Sequence, residues 1–300
     1  MTLAVHATLP AALRGGPGND WAAVRRHGAA CDSFLEGPCW DDAGVLWSVD
    51  IANGRLLTLA AGDRWTVRHA YDGWPTGLKL DAASRPVIAD NRLGLLRFDP
   101  ADGTLTVLAD RFRGDPLIGP NDLAIAANGD VYFTDQGGSD LIRPVGRVFR
   151  WRESSGLELL AEGFPSPNGI VLTRDGRMVY VAVTQANAIW RIILRPDGAV
   201  AKVGHFLQLS GSLGGGPDGL AMDDADNLYV CHALAGCLRV FDRLGDPVAR
   251  IASARGLIPT NLAFGEADRR TLYVTEAETG TIQRLRVEVP GRAGIAVGAP

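Results

Sequence analysis

The sequence predicts an all-β protein, a six-bladed β-propeller with a metal site at one mouth of its central channel. Two observations predict this fold. A proline, a polar or turn residue and an alternating apolar run recur along the chain, each copy followed by a turn and a second strand-like run. Almost no stretch shows the sustained period of an amphipathic helix. Repeats of roughly 40 to 50 residues with three or four strands each are typical of propeller blades.

Six units follow one another along the chain. They read EGPCWDDAGVLWSVD from Glu36, PTGLKLDAASRPVIAD from Pro75, PNDLAIAANGDVYFTD from Pro120, PNGIVLTRDGRMVYVAVT from Pro167, PDGLAMDDADNLYVCH from Pro217 and PTNLAFGEADRRTLYVTE from Pro259. Aligned on proline, with Pro38 in the first unit, they are spaced by 37, 45, 47, 50 and 42 residues. Turns such as Asn128-Gly129 and Asp175-Gly176 join two strands within a unit, and this is the signature of a hairpin.

The repeats run from about residue 33 to residue 290, so we predict a single propeller domain over residues 1–300. Residues 1–30 and the tail after Pro290 lie outside the repeats. The N-terminal segment is either peripheral or closes the ring, and the tail is the other candidate for a closing strand.

The amino-acid composition disfavours some classes of binding partner. The chain has 30 basic and 34 acidic residues, a net charge of -4 and no basic run, which disfavours nucleic acid and anionic membranes. No basic leader with a long apolar core begins the sequence, so a cytoplasmic protein is the default expectation. Four cysteines without a CxxC pair are expected to be reduced, with a Cys31–Cys39 bridge left open. Oligomeric state is not specified.

Polar residues follow the repeated prolines where the first strand of each blade borders the channel. They are Thr76, Asn121, Asn168, Asp218 and Thr260, with Glu36 expected near the same level in the first unit. Two carboxylates facing two carboxamides repel and are poorly solvated unless a cation binds. Oxygen ligands of this kind favour Ca²⁺, with Mg²⁺, Mn²⁺ or Zn²⁺ as alternatives.

A simpler interpretation is that Asn and Asp after proline only form turns and bond nearby backbone. If these residues only formed turns, however, nothing would explain why units two and six have threonine while the other four units have a carboxylate or a carboxamide. Similarly, Asp50, Asp90 and Asp135 end equivalent second strands and are expected to bond between strands, and His232 either reaches the mouth or is structural.

Other hydrolase motifs are missing from the sequence. No Gly-x-Ser-x-Gly elbow occurs, and the five histidines have neither HExxH spacing nor another paired arrangement. A serine esterase and a zinc peptidase are therefore poorly supported.

The ordered set of motifs resembles the SMP-30/gluconolactonase/LRE-like family. The motifs are Glu36-Gly37-Pro38 with Trp40, Pro120-Asn121-Asp122, Pro167-Asn168-Gly169 and Pro217-Asp218-Gly219. The resemblance runs over about residues 33–285. It implies a calcium- or other divalent-metal-dependent propeller that hydrolyses lactones, typically of sugar acids.

The resemblance also implies residue roles. Glu36, Asn168 and Asp218 correspond to metal ligands, Asp218 also to the base that activates water, and Asn121 to a substrate contact or fourth ligand. One departure is that animal sugar lactonases carry an arginine shortly before the Asn121 position, where this chain reads PLIGP. The resemblance therefore does not fix a sugar lactone as substrate.

Three functions are compatible with these residues. The first is a metal-dependent lactonase acting on a small-molecule lactone. The second is cleavage of another ester or a phosphotriester on the same metal site. The third is a non-catalytic propeller that binds a ligand, in which the ion only ties the blades together.

Overall fold

The computed structural model describes residues 1–15 and 18–292 of the chain, as a ring of six four-stranded antiparallel sheets. A short strand, β1 (Ala4–Thr8), and a helix, α1 (Trp21–Arg25), precede the first sheet. Blade one contains β2 (Leu35–Trp40), β3 (Leu46–Asp50), β4 (Arg55–Ala60) and β5 (Arg64–Ala70). Blade two contains β6 (Pro75–Leu80), β7 (Pro86–Asp90), β8 (Gly94–Phe98) and β9 (Leu105–Ala109).

The remaining blades repeat this order. A two-stranded hairpin, β10 (Arg111–Phe112) and β11 (Asp115–Pro116), precedes blade three. Blade three contains β12 (Pro120–Ile125), β13 (Val131–Asp135), β14 (Gly146–Arg152) and β15 (Gly156–Phe164). Blade four contains β16 (Pro167–Leu172), β17 (Met178–Val183), β18 (Ala188–Leu194) and β19 (Val200–Gln208). Blade five contains β20 (Pro217–Met222), β21 (Leu228–His232), β22 (Cys237–Phe241) and β23 (Pro247–Ala252).

Blade six is completed by the N-terminal segment. Its strands are β24 (Pro259–Gly265), β25 (Thr271–Glu276) and β26 (Thr281–Arg286), and β1 pairs antiparallel with β26 as the outermost strand. The ring is thus closed by the start of the chain. The tail after Pro290 was the other candidate for a closing strand, and most of it, residues 293–300, lies outside the described residues. The described residues also form three short 3-10 turns, at Ala11–Leu13, Ile51–Asn53 and Thr184–Ala186.

Alternation of apolar residues along the strands builds the core between neighbouring blades. Tyr132 and Val148 of blade three, for example, pack with Ile170 and Val181 of blade four, and all are at least 95% buried. Burial of both faces of each sheet explains the apolar runs of strands such as β7 (PVIAD) and β17 (MVYVAV). Within the described residues, no helix is both long enough and apolar enough to cross a membrane. The four cysteines are unpaired.

The prediction for the first unit was wrong in its alignment. Leu35 pairs with Asp50 in the way that Pro120 pairs with Asp135, so Leu35, not Pro38, is the equivalent of the repeated prolines. Glu36 consequently occupies the same position as the residue after each proline. Pro38 misled the alignment because proline marks the strand start in every other unit. Proline fits there because the first residue of a strand need not donate a hydrogen bond to the neighbouring strand, and other residues such as leucine fit there equally well.

The closing strand allows a first prediction. Leu9 follows β1, is 1% exposed and packs in one cluster with Leu35 of blade one and Ile282 of blade six. We expect Leu9→Ala to lower the free energy of unfolding by about 2–4 kcal/mol, because it leaves a cavity at the closure. Urea denaturation measures the change. Val5→Ala, within β1 itself but 37% exposed, is the control and should cost less than about 1 kcal/mol. Equal small effects would show that closure does not depend on this segment.

Candidate metal centre at the mouth of the channel

The residues that follow the strand-opening prolines are aimed into the channel by a common irregularity. In all six blades the register of the first strand shifts just after its start, for example between Pro120 and Leu123 and between Pro217 and Leu220. Such bulges reorient side chains and are frequent beside functional sites. The positions concerned form what we call the mouth ring, composed of Glu36, Thr76, Asn121, Asn168, Asp218 and Thr260.

The two threonines of the mouth ring are used for structure. Thr76 Oγ1 donates to the carbonyl oxygens of Ala89 or Pro120, both at 3.0 Å. Thr260 Oγ1 is 2.8 Å from the carbonyl oxygen of Leu35, in the next blade around the ring. These bonds connect neighbouring blades and leave the other four positions to supply ligand oxygens.

The acidic members of the mouth ring lie together in a region of low solvation. Glu36 is only 6% exposed, and Asp218 is half-buried. Burial, followed by the charges of Asp218 and Asp122, raises the pKa of Glu36 well above its usual value. Burial, followed by the charge of Asp122, likewise raises the pKa of Asp218, while the Asn168 carboxamide acts in the opposite direction. Within the described residues, none of these three carboxylates forms a salt bridge.

The two carboxamides of the ring differ in their surroundings. Asn168 is 9% exposed and interacts with Asp218. Asn121 is half-buried, and its Nδ2 donates to Gln136 Oε1 at 3.1 Å, which leaves its carbonyl oxygen available. Gln136 is fixed in turn because its Nε2 donates to Ser166 Oγ at 2.8 Å.

A second tier of polar residues lies one position further along the first strands, and the sequence analysis did not identify it. Asn261 Nδ2 donates to Asp122 Oδ2 at 3.2 Å. Blades three and six are opposite one another in a six-membered ring, so this bond crosses the channel and forms a floor below the mouth ring. Four blades have glycine at this level, at Gly37, Gly77, Gly169 and Gly219.

The glycines make room for that floor. A methyl group on Gly219 would lie 2.4 Å from Asn261 Oδ1, and one on Gly77 would lie 2.9 Å from Asp122 Oδ1. Both distances are too short for van der Waals contact. In the five units that begin with proline, the pattern of three glycines, one Asp and one Asn at this position was visible, and it was the signal that could have revealed the floor.

The arrangement suits a hard cation by its chemistry. It contains carboxamide oxygens and carboxylates whose pKa values are raised by burial and, for Glu36 and Asp218, by a neighbouring carboxylate. The charge of Lys79 lowers the pKa of Asp122, but Lys79 forms no salt bridge with these carboxylates among the described residues. No group of three or more His, Cys, Asp or Glu side chains in a metal-binding arrangement occurs in the described ranges. The predicted ligands include only two carboxylates, Glu36 and Asp218, and depend on a carboxamide for the third oxygen.

The acidic residues that end the second strands are structural. Asp135 Oδ1 accepts bonds from the backbone N–H groups of Ile118 at 2.9 Å and Gly119 at 2.8 Å, and Asp50 pairs with Arg55 at 2.8 Å. Asp90 accepts from the N–H groups of Arg92 and Leu93. The Asp50–Arg55 pair joins neighbouring strands, as predicted, whereas the bonds of Asp90 and Asp135 to backbone N–H groups fix the adjoining loops.

His232, the equivalent residue of blade five, is also held internally. Arg239 Nε donates to its Nδ1 at 3.0 Å, so the ring proton is on Nε2, which donates to Asn187 Oδ1 at 2.9 Å. Burial, followed by the charges of Arg239 and Arg250, lowers the pKa of His232 to about 4. The histidine is therefore neutral in the folded protein and serves as a structural link between blades four and five.

The lowered pKa predicts a loss of stability in mild acid. Between pH 6.5 and pH 4 the unfolded chain binds a proton at this histidine and the folded chain does not, so stability falls as pH falls. We expect His232→Gln to reduce the decline in unfolding free energy between pH 7 and pH 4.5 by about 2–3 kcal/mol. Urea denaturation at the two pH values tests this, and identical declines in both proteins would refute it.

A cleft of about 690 Å³ lies at the other end of the molecule. It is lined by turns of blades four and five, including Arg174, Met178 and Leu244, and contains no member of the mouth ring. The predicted site residues therefore belong to a separate place, where the strands begin.

The similarity of this chain to known proteins extends over most of the propeller. The family model described as SMP-30/Gluconolactonase/LRE-like region matches residues 34–278. A pentonolactonase of Haloferax volcanii is 28% identical over 264 residues, which cover 81% of each chain. Diisopropyl-fluorophosphatase of Loligo vulgaris is 26% identical over 265 residues, covering 83% of this chain and 82% of the enzyme.

A solved structure is similar in fold. Regucalcin from Agrobacterium tumefaciens, described as a calcium-binding protein, superimposes with a TM-score of 0.76 and 26% identity. The superposition covers 87% of this chain and 92% of that protein. The six-bladed ring is thus common to this chain and the solved structure.

Proposed function

The chain belongs to the SMP-30/gluconolactonase/LRE-like family, and from this premise we propose that it is a divalent-metal-dependent hydrolase that opens a lactone to the hydroxyacid. The observation that carries the proposal is the convergence of Glu36 and Asp218 with the carboxamides of Asn121 and Asn168 around one channel mouth. The similarity to a pentonolactonase supports a lactone as the substrate.

Glu36, Asn168 and Asp218 would hold the ion, with Asn121 as a fourth ligand or a substrate contact. Ca²⁺ is the ion we favour, in view of the all-oxygen ligand set and the fold shared with a calcium-binding protein. When bound, a divalent cation supplies Lewis acidity to a carbonyl oxygen and neutralises the charge of Glu36 and Asp218.

The residues of the chain contribute the remaining steps. Asp218 takes the proton from the attacking water and returns it to the leaving oxygen. We assign this role to Asp218 and not to Glu36 because Asp218 is the more exposed of the two mouth-ring carboxylates and can therefore reach a water molecule. Asn168 orients Asp218, and the Asn121 side chain, which is fixed by its bond to Gln136, binds the substrate in this proposal. The Asp122–Asn261 bond crosses the channel below these residues and fixes the strand starts of blades three and six.

A second candidate, hydrolysis of a phosphotriester on the same residues, is favoured by the similarity to diisopropyl-fluorophosphatase. Both reactions need a water activated by Asp218 and an oxygen polarised at the same position. The two reactions differ in the shape and charge of the substrate, so they are distinguished by measuring which substrates the protein hydrolyses.

The test is turnover of a panel of sugar-acid and aliphatic lactones and one phosphotriester, followed by proton release. Metal-stripped protein is assayed alone and with Ca²⁺, Mg²⁺, Mn²⁺ or Zn²⁺ restored. We expect metal-restored opening of at least one lactone, faster than cleavage of the phosphotriester. Turnover of the phosphotriester alone would establish the second candidate. Failure to hydrolyse any of these compounds, despite a bound ion, would leave a ligand-binding role.

A further inference from the structure

The N-terminal segment outside the repeats reaches the mouth of the channel. Asn19 Nδ2 donates to the carbonyl oxygen of Ile51 at 2.8 Å and is 3.0 Å from that of Gly73, which attaches the segment to blade one and the start of blade two. Trp74 Nε1 donates to Asp20 Oδ1 at 3.1 Å. The helix α1 is thereby placed over blades one and two, with Arg25 at its C-terminal end.

Arg25 is directed from this helix towards the mouth ring. Its Nε donates to Asn91 Oδ1 at 3.0 Å, and Asn91 Nδ2 donates to the carbonyl oxygen of Pro120 at 3.2 Å. The same carbonyl oxygen accepts a bond from Thr76 of the mouth ring. The guanidinium is therefore one side chain away from the strand start that carries Asn121.

Two glycines lie beside the outer nitrogens of the guanidinium, where a side chain would come close to them. A methyl group built at Gly119 would lie 3.1 Å from Arg25 Nη2, and one at Gly138 would lie 3.7 Å from Nη1. At Gly119 such a methyl group would also lie 2.7 Å from Asn91 Nδ2, and the φ of +143° there is one that favours glycine. Residues 119 and 121 are separated by at most roughly 7 Å of backbone. A small ligand can therefore contact Asn121 and Arg25 together.

The charge of Arg25 has no counter-ion among the described residues. Only its Nε donates a hydrogen bond there, although the side chain is half-buried, and burial lowers its pKa. Arg92 provides a contrast on the same Trp74 ring, since it forms ion pairs with Asp72 at 2.8 Å and Asp20 at 3.3 Å. A half-buried guanidinium whose Nη groups have no hydrogen-bond partner among the described residues is a site for a bidentate carboxylate.

We infer that Arg25 binds a carboxylate on the substrate, so that the preferred substrate is a lactone bearing a second, ionised carboxyl group. This inference rests on the proposed function. The Nε–Asn91 bond and the position beside Trp74 hold the guanidinium in place before the substrate binds, which lowers the entropic cost of recognition. Arg25 acts in binding and specificity, and it takes no part in proton transfer.

The test compares two five-membered lactones that differ at one carbon, the lactone of glucarate with a carboxylate and the lactone of gluconate with a hydroxymethyl group. Metal-loaded wild type, Arg25→Gln and Arg92→Gln are assayed with both. We expect Arg25→Gln to lower kcat/KM for the glucarate lactone about 10- to 100-fold, and for the gluconate lactone less than about threefold. Arg92→Gln, the matched control, should leave both values within about threefold, and Arg25→Lys should recover part of the loss.

Equal losses with both lactones, together with a lower Tm, would overturn the inference and assign Arg25 to anchoring α1. Calorimetric binding of the two lactones separates this outcome from failure of the proposed function. If neither lactone is hydrolysed, tighter binding of the glucarate lactone by wild type and its loss in Arg25→Gln still support the assignment. Equal affinities would reject it.

Discussion

Asp218→Asn is expected to lower kcat for lactone opening by about 10²- to 10⁴-fold, the range that a positioned general base contributes. The carboxamide has nearly the same shape as the carboxylate but cannot accept the proton of the attacking water. The substitution also removes one of the carboxylates that lie together in the poorly solvated mouth. The metal-free variant should therefore be at least as stable as the wild-type protein. Initial rates and urea denaturation measure the two effects.

Asp90→Asn is the matched control for this variant. Asp90 is a fully buried carboxylate at the same end of the molecule, but it accepts bonds from backbone N–H groups and from Tyr71 at 2.9 Å. The control should lose about 1–3 kcal/mol of stability and keep kcat within about threefold. If Asp218→Asn retained kcat within about tenfold, Asp218 would not be the base.

Glu36→Gln is expected to change stability in opposite directions with and without metal. In the metal-free protein Glu36 is buried beside Asp218 and Asp122, and all three carboxyl groups have raised pKa values. Replacing it with a neutral group of the same size should raise the free energy of unfolding by about 1 kcal/mol or more.

With Ca²⁺ the order should reverse. At a concentration about 100 times its Kd, the ion stabilises the wild-type protein by about 2.7 kcal/mol. A variant that binds it about 100-fold more weakly gains less than about 0.5 kcal/mol. Denaturation curves with Ca²⁺ and with a chelator give the four values. A variant that gains as much from Ca²⁺ as the wild-type protein would exclude Glu36 as a ligand.

The six-bladed ring could be predicted because its signals are local. Each blade contains its own turn residues and its own alternating strands, so the repeat is visible without knowledge of any contact between blades. The register of blade one was not visible, because Leu35 fills a position that proline fills elsewhere. Nor did the sequence decide that β1 rather than the tail closes the ring, since strand pairing between chain ends leaves little local trace.

The candidate site was predictable only in its first tier. The residues after the prolines share a position within each unit, and so a common level in the ring follows from the repeat. The Asp122–Asn261 bond joins residues in blades three and six, and it needs the knowledge that these two blades are opposite. Arg25 comes from a segment without any repeat, and its position depends on the tertiary contacts of Asn19 and Asp20.

The most direct test follows ion binding and lactone turnover in one metal-stripped sample during titration with Ca²⁺. We expect turnover to begin from near zero, and binding and turnover to reach saturation together, with one ion per chain and the same midpoint. Full turnover in the stripped protein, or one bound ion that leaves the rate of a hydrolysed lactone unchanged, would contradict the claim that the mouth ring binds a catalytic cation.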